Sequence, residues 1–332
     1  MGRGWRVGLL GILVSAVVIV YFVSQLDLAL LGSALTSGRY TFLLPAFALL
    51  LLGLWTRALR WQALLLDDLP AGRAFHILNV SYLVNGVLPL RLGEVARAFL
   101  ASRAQPSVTI PRALSTIVVE RLLDLLSVIG LVALGASTSL PPELRAAALA
   151  GAPLALGGLI VLVLLAANQR FSLRLLDALL GALPALERFP IRHITQDIFA
   201  GVATLAKPVI FLRVVGWTII SWVLSVAAGW VLMFAFWETA SWSASLLMIA
   251  AASLAIALPA VPGNVGTYEA AIVLALSPSA YGQPLETATA FAVIVHALNL
   301  LLYAIMGGIG LLREGVSLTT LRENVAASTT RG

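Results

Sequence analysis

Residues 85–97 read NGVLPLRLGEVAR and close an apolar run that begins near residue 74. Pro89, Arg91, Glu94 and Arg97 fall within nine residues there. Two placements of this stretch give two different folds. As a cytoplasmic loop after an ordinary span, it simply turns its charges to water. At membrane depth, the proline breaks a helix, and the freed backbone groups must be buried in protein or line a wet cavity. The rest of the chain decides between them.

Of the 332 residues, 60% are hydrophobic and 11% charged. Soluble domains carry about 25% charged residues. The mean hydropathy is +1.00. Such a composition belongs to an integral membrane protein. The apolar stretches are long and continuous, which selects helices over a β-barrel. The chain has no cysteine, which excludes disulfides, thiolate metal sites and a cysteine nucleophile.

Six runs are long enough to cross about 30 Å of hydrocarbon. They lie near 7–24, 40–56, 113–135, 147–167, 209–236 and 287–312. The first, preceded by Arg3 and Arg6, resembles a signal peptide but lacks a nearby small-residue cleavage site, so an uncleaved span is expected. Two further runs, 74–88 and 244–258, hold 15 residues each. At 1.5 Å per residue they reach only about 22 Å. Each ends at a Pro/Gly break and is followed by another short apolar piece, the pattern of a re-entrant hairpin. If both hairpins are full crossings instead, the count rises to eight spans.

Orientation follows from arginine and lysine. With the N-terminus cytoplasmic, the outer segments hold only Arg39 and Arg145, and Arg121 lies in a span. The other 18 of the 21 basic residues fall at or toward the cytoplasmic side. This bias accounts for the net charge of +6 without a nucleic-acid partner. Segment 170–207, amphipathic and basic in its first half, is expected on the cytoplasmic leaflet surface.

The expected fold is therefore an all-α polytopic membrane protein, one transmembrane domain over 1–332, with both termini cytoplasmic. Its halves, about 40–135 and 208–312, present span, hairpin and span in opposite orientations. Their breaks correspond: Pro89 and Gly93 in one, Pro262, Gly263 and Gly266 in the other, with Glu94 and Glu269 close behind. Inverted repeats with broken helices at equivalent places point to a transporter-type site near the midplane.

Charge inside the spans supports that placement. The stretch STIVVERLLDLLSVIGL (115–131) carries Glu120, Arg121 and Asp124. Each unpaired would cost about 2.5–3.5 kcal/mol on the mildest scale. Arg121 and Asp124 can pair at i,i+3. Glu120 needs another cation, for which Arg91 or Arg97 is the candidate. The second half adds Asn264, Tyr268 and Glu269, then His296 and Asn299 in the last span. His296 is either a helix–helix hydrogen-bond partner or a proton relay. Arg57, Arg60 and Trp61 read as interfacial anchors. Gly307, Gly308 and Gly310 suit close helix packing. Asn79-Val-Ser81 matches a glycosylation sequon inside an expected membrane helix and reads as chance.

These motifs carry a resemblance. N-x-x-L-P-L-R-x-G-E-x-x-R, then E-R-x-x-D, then P-x-x-P-G-x-x-G-x-x-E resemble the lysylphosphatidylglycerol synthase transmembrane-region family, also called flippase-like, over about Trp55 to Leu312. In its best-known members this region is fused to a soluble aminoacyl-transfer domain and linked to moving charged phospholipid between leaflets. No such domain is read in these residues, so the resemblance implies the membrane module and not the synthase activity.

The leading expectation is a translocator of a phospholipid or isoprenoid-linked lipid in a prokaryotic plasma membrane. Arg91, Arg97 and Arg121 would hold an anionic headgroup, because guanidinium matches phosphate in fork geometry. Glu94, Glu120, Asp124 and Glu269 would balance them or carry protons. No metal or cofactor is expected. The alternatives are a non-transporting scaffold for an envelope enzyme and a lipid-modifying membrane enzyme. For the latter, the chain shows neither an H-E-x-x-H motif nor a Walker loop.

Overall fold

A computed structural model describes residues 27–88, 91–104, 108–135, 207–257, 262–277 and 281–318, with isolated positions between 157 and 205 and Leu321. The spans expected at 7–24 and 147–167, the segment 170–207 and Pro89 lie outside the described residues, apart from those isolated positions. Regular structure among the described residues is helical throughout.

Nine α-helices follow one another there. They are α1 (Leu28–Thr36), α2 (Leu43–Leu64), α3 (Ala71–Val87), α4 (Leu92–Ala104), α5 (Ile110–Gly135), α6 (Pro208–Met233), α7 (Trp242–Ala257), α8 (Thr267–Leu276) and α9 (Leu285–Glu314). Three stretches are long and apolar enough to cross a membrane: Tyr40–Leu64, Pro208–Met233 and Leu285–Glu314. Helix α5 has 26 residues, about 39 Å, but carries Arg112, Glu120, Arg121 and Asp124. The chain is a helical membrane protein.

Local chemistry sets the ends of these helices. Asp27 caps α1 by accepting from the Ala29 and Leu30 amides at 2.8 and 3.1 Å. Pro208 opens α6 where its missing N–H costs nothing. Gly315, at φ 63°, closes α9 with the left-handed turn that glycine adopts without penalty. Helix α2 runs on past Thr56, where the apolar run was expected to end, through RALRWQAL to Leu64. That segment holds good helix formers without proline or glycine, so nothing stops the helix when the hydrophobicity falls.

One face of α6 shows what the outer surface is built for. Val209, Leu212, Ile219 and Val223 are exposed and recur at helical spacing. In water this stripe would be a liability; against lipid it costs nothing.

Inside, α2 lies along α6, α3 along α9, and α5 along α7. Helices α3 and α4 form one hairpin, α7 and α8 another, with α4 packed on α5 and α8 on α9. One core gathers Trp61, Leu78 and Leu100 with Leu302 of α9. A second gathers Met248, Tyr268 and Ile272 with Phe291 and Val295, again from α9. Helix α9 therefore ties the two together. Its approach to α3 depends on Gly307 and Gly310, where a Cβ would overlap Leu83 and the Asn79 carbonyl, and the His76 carbonyl, respectively. Gly308, expected to share this role, faces open space. Asn79 is wholly buried in α3, its amide donating to the Phe75 carbonyl at 2.8 Å, which removes the sequon from consideration.

Candidate functional site: a buried arginine–carboxylate cluster

Glu120 and Asp124 stand four residues apart on α5 and share a face. Arg60 of α2 reaches between them. Its Nη1 lies 2.7 Å from Asp124 Oδ1 and its Nε 3.4 Å from Glu120 Oε1. Arg97 of α4 approaches from the other side, donating from Nη1 to Glu120 Oε2 at 2.6 Å. Arg60, Arg97 and Glu120 are only 2%, 3% and 1% exposed. Breaking such a buried pair by removing one partner costs about 3–5 kcal/mol, because a charge is left without compensation.

Trp61 forms the floor. The Arg97 guanidinium lies 3.8 Å from its ring centroid. The indole N–H donates to Thr116 Oγ1 at 3.0 Å, and that hydroxyl donates to the Ala113 carbonyl at 2.7 Å. Arg97 still presents Nε and Nη2, both buried, without a hydrogen-bond partner. Helices α2, α4 and α5 are thus locked around one charged centre.

The expected partners of Glu120 separate here. Arg97 takes it; Arg91 does not. Arg91 stands before α4 at φ 54°, and its Nη2 donates to the Ile256 carbonyl at the end of α7. Cations are favoured at a helix C-terminus, where carbonyls are left unpaired. The reading of Arg57, Arg60 and Trp61 as interfacial anchors is corrected for the last two, which lie buried at the centre of the cluster. The signal was available: two carboxylates on one face of α5 exceed what Arg121 can neutralise.

At the edge of the cluster, Arg121 lies 3.6 Å from Asp124 and 3.9 Å from Glu94. It is 40% exposed midway along α5. A guanidinium facing hydrocarbon there would be costly, which favours water over lipid at this edge.

The two chain breaks meet beside it. In the first, Asn85 Oδ1 accepts the Gly93 amide at 2.8 Å, holding the start of α4 against α3. A Cβ at Gly93 would overlap the Ser81 carbonyl. In the second, a 3₁₀ turn at Pro262–Asn264 packs on α3, with Gly263 beside the Gly86 carbonyl. Gly263, Asn264 and Gly266 adopt φ of 70°, 56° and 86°, which turns the chain sharply into α8. The Arg91 bond to Ile256 is a second link between breaks.

Glu269 has a structural place as well as a charge. Its Oε2 accepts the Gly266 amide at 2.7 Å, capping α8. Its Oε1 lies 2.6 Å from His296 Nδ1, and Tyr268 stacks on the His296 ring at 4.4 Å between centroids. Asn299, by contrast, bonds back to the Val295 carbonyl within α9. Among the described residues no group of three His, Asp or Glu side chains is arranged to hold a metal ion.

The fold and this cluster define a polytopic helical membrane protein with a buried, arginine-rich polar centre at interrupted helices. The family model for the lysylphosphatidylglycerol synthase transmembrane region matches residues 8–307, and the chain belongs to that family. The match starts well before Trp55, from which the resemblance was expected to run. No curated protein and no solved structure matches the chain. Membership associates it with membrane lipids.

Proposed function

We propose that this protein moves a phospholipid or lipid-linked anionic headgroup between the leaflets of a prokaryotic plasma membrane. The observation that carries the reading is the junction of two helix breaks beside a charged cluster with an edge that favours water. A headgroup crossing the bilayer needs a polar, cation-bearing place at mid-depth. Arg91, Arg97 and Arg121, balanced by Glu94, Glu120 and Asp124, supply one. Asn264, Tyr268, Glu269 and His296 line the facing break, His296 as a relay for protons to Glu269.

We read α2–α5 and α6–α9 as repeats of opposite orientation, with both termini cytoplasmic. Exchange of the halves maps the α2–α6 contact onto itself and α3–α9 onto α5–α7, and each of these pairs is packed. The inner pairs of each half are short. Helices α3, α4, α7 and α8 have 17, 13, 16 and 10 residues, about 26, 20, 24 and 15 Å. None spans about 30 Å, which favours re-entrant hairpins.

The test is leaflet exchange of a fluorescent anionic phospholipid in liposomes holding the purified protein. Arg91→Ala and Glu269→Ala, one at each break, should slow it. If anionic, zwitterionic and isoprenoid lipids all cross no faster than in liposomes with an unrelated helical protein, translocation is the wrong class. A scaffold role would then lead.

A further inference from the structure

Arg57, like Arg91, stands outside the ion pairs of the cluster. Arg57 lies on α2 seven residues before Leu64, about 10 Å inside that helix end. Among the described residues no carboxylate comes within ion-pair distance of it. Its Nη1 and Nη2 donate instead to the hydroxyls of Tyr82 and Ser225, both at 3.5 Å, and its Cζ lies 5.7 Å from the Trp222 ring centroid. Bonds of that length are at the outer limit of hydrogen bonding. Intramembrane arginines pair with acids or backbone carbonyls, or face a water-filled cavity.

The surroundings are polar, partly exposed and drawn from both halves. Tyr82 belongs to α3 and stacks on Tyr303 of α9, with ring centroids 5.0 Å apart; Ser225 and Trp222 belong to α6. Arg57, Tyr82, Ser225 and Tyr303 are all intermediate in exposure, whereas Arg60, one turn on, is buried. Arg57 and Arg121 are both within electrostatic reach of Tyr82 and of Asp124. Asp124 is paired with Arg60 and Arg121, and Glu120 with Arg60 and Arg97, at 2.6–3.6 Å, while neither carboxylate forms an ion pair with Arg57. Trp55 of α2 and Val223 of α6 are exposed apolar side chains, but each stands two residues from Arg57 or Ser225 and so on another face of its helix.

We propose that Arg57, with the hydroxyls of Tyr82 and Ser225, forms a phosphate subsite for an anionic lipid. A phosphate oxygen would replace two marginal contacts with charge-assisted bonds of about 2.7–2.9 Å. The Tyr82 hydroxyl donates to another of the phosphate oxygens, and the Ser225 hydroxyl does so by turning away from the Ser221 carbonyl, to which it donates at 2.9 Å. Trp222 backs the guanidinium. The assignment rests on the translocator reading for its choice of a lipid over a free phosphate.

The test is equilibrium binding of short-chain phosphatidylglycerol to the full chain in nanodiscs of zwitterionic lipid, with inorganic phosphate and short-chain diacylglycerol as separate probes. The expected result is salt-sensitive binding of phosphatidylglycerol, at least tenfold tighter than inorganic phosphate, and none of diacylglycerol. Arg57→Gln should weaken it about ten- to hundredfold, as for loss of hydrogen bonds to a charged group. Arg57→Lys should recover part of it. The Tyr82→Phe/Ser225→Ala pair keeps the charge and should still lose affinity, which guards against misfolding of Arg57→Gln. Unchanged affinity in folded Arg57→Gln and in the hydroxyl pair overturns the subsite. Equal affinity for inorganic phosphate overturns the lipid assignment. Binding as expected without leaflet exchange keeps the subsite and removes the translocator reading; exchange without Arg57-dependent binding does the reverse.

Discussion

Removing the carboxylate of Glu120 leaves Arg97 without an acid, because the 2.6 Å contact to Glu120 is its ion pair among the described residues. Arg60 keeps Asp124 at 2.7 Å. Glu120→Gln should therefore cost about 3–5 kcal/mol, the penalty of a buried orphan charge. Arg97→Gln should cost less, because Glu120 still has Arg60 Nε at 3.4 Å. The double variant carries neither orphan and should lose no more than Glu120→Gln alone. Independent effects would instead add to roughly 6–10 kcal/mol if each variant lost the full penalty. Reversible SDS unfolding in mixed micelles, followed by far-UV circular dichroism, measures all four corners of the cycle. Additivity of the two single losses would refute the contact as a coupled ion pair. Equal losses in the two single variants would refute the role given to Arg60.

Three further expectations follow from the same contacts. Gly93→Ala should lower stability by about 1–3 kcal/mol through overlap with the Ser81 carbonyl, while Gly308→Ala, in open space, should be near neutral in the same assay. The forked hydrogen bonds from Arg213, at 2.7 and 2.8 Å, hold the exposed Asp67 carboxylate below its ordinary pKa. That stabilisation is complete above the unfolded value of about 3.9 and is lost as pH falls through the lower folded value. Because the pair is exposed it is worth about 0.2–1 kcal/mol, and Asp67→Asn should remove this part of the acid dependence of melting and leave the melting temperature near neutrality only slightly lower. Finally, the cysteine-free chain allows single-cysteine labelling: Arg103→Cys should react only from the cytoplasm and Glu238→Cys only from outside. Reaction of Arg103→Cys from outside would make the first hairpin a full crossing.

Much of the candidate site was legible in the sequence because the signals are local. Proline and glycine clustered within a few residues disfavour continuing a helix, so the breaks near Gly93 and Gly263 can be read from neighbouring residues, whereas the glycines inside α9 leave it unbroken. The spacing of Glu120, Arg121 and Asp124 fixes their positions on one helix, and their energetic cost demands partners. The identity of those partners is not local. Arg60 meets Asp124 across 64 residues of chain, and Asn85 was passed over although it holds the Gly93 amide.

By itself the sequence determined a helical membrane protein, the places where its helices break, and the presence of charge that must be compensated inside. Hydropathy and periodicity are properties of single segments, and they survive any arrangement of the helices. Only the tertiary structure decided that α2 brings Arg60 and Trp61 inward, that Arg97 rather than Arg91 meets Glu120, and that the two breaks adjoin. Each of these depends on how helices distant in the chain cross. At those crossings a buried charge finds its partner within 3 to 4 Å or stands orphaned, a distinction that no single segment encodes.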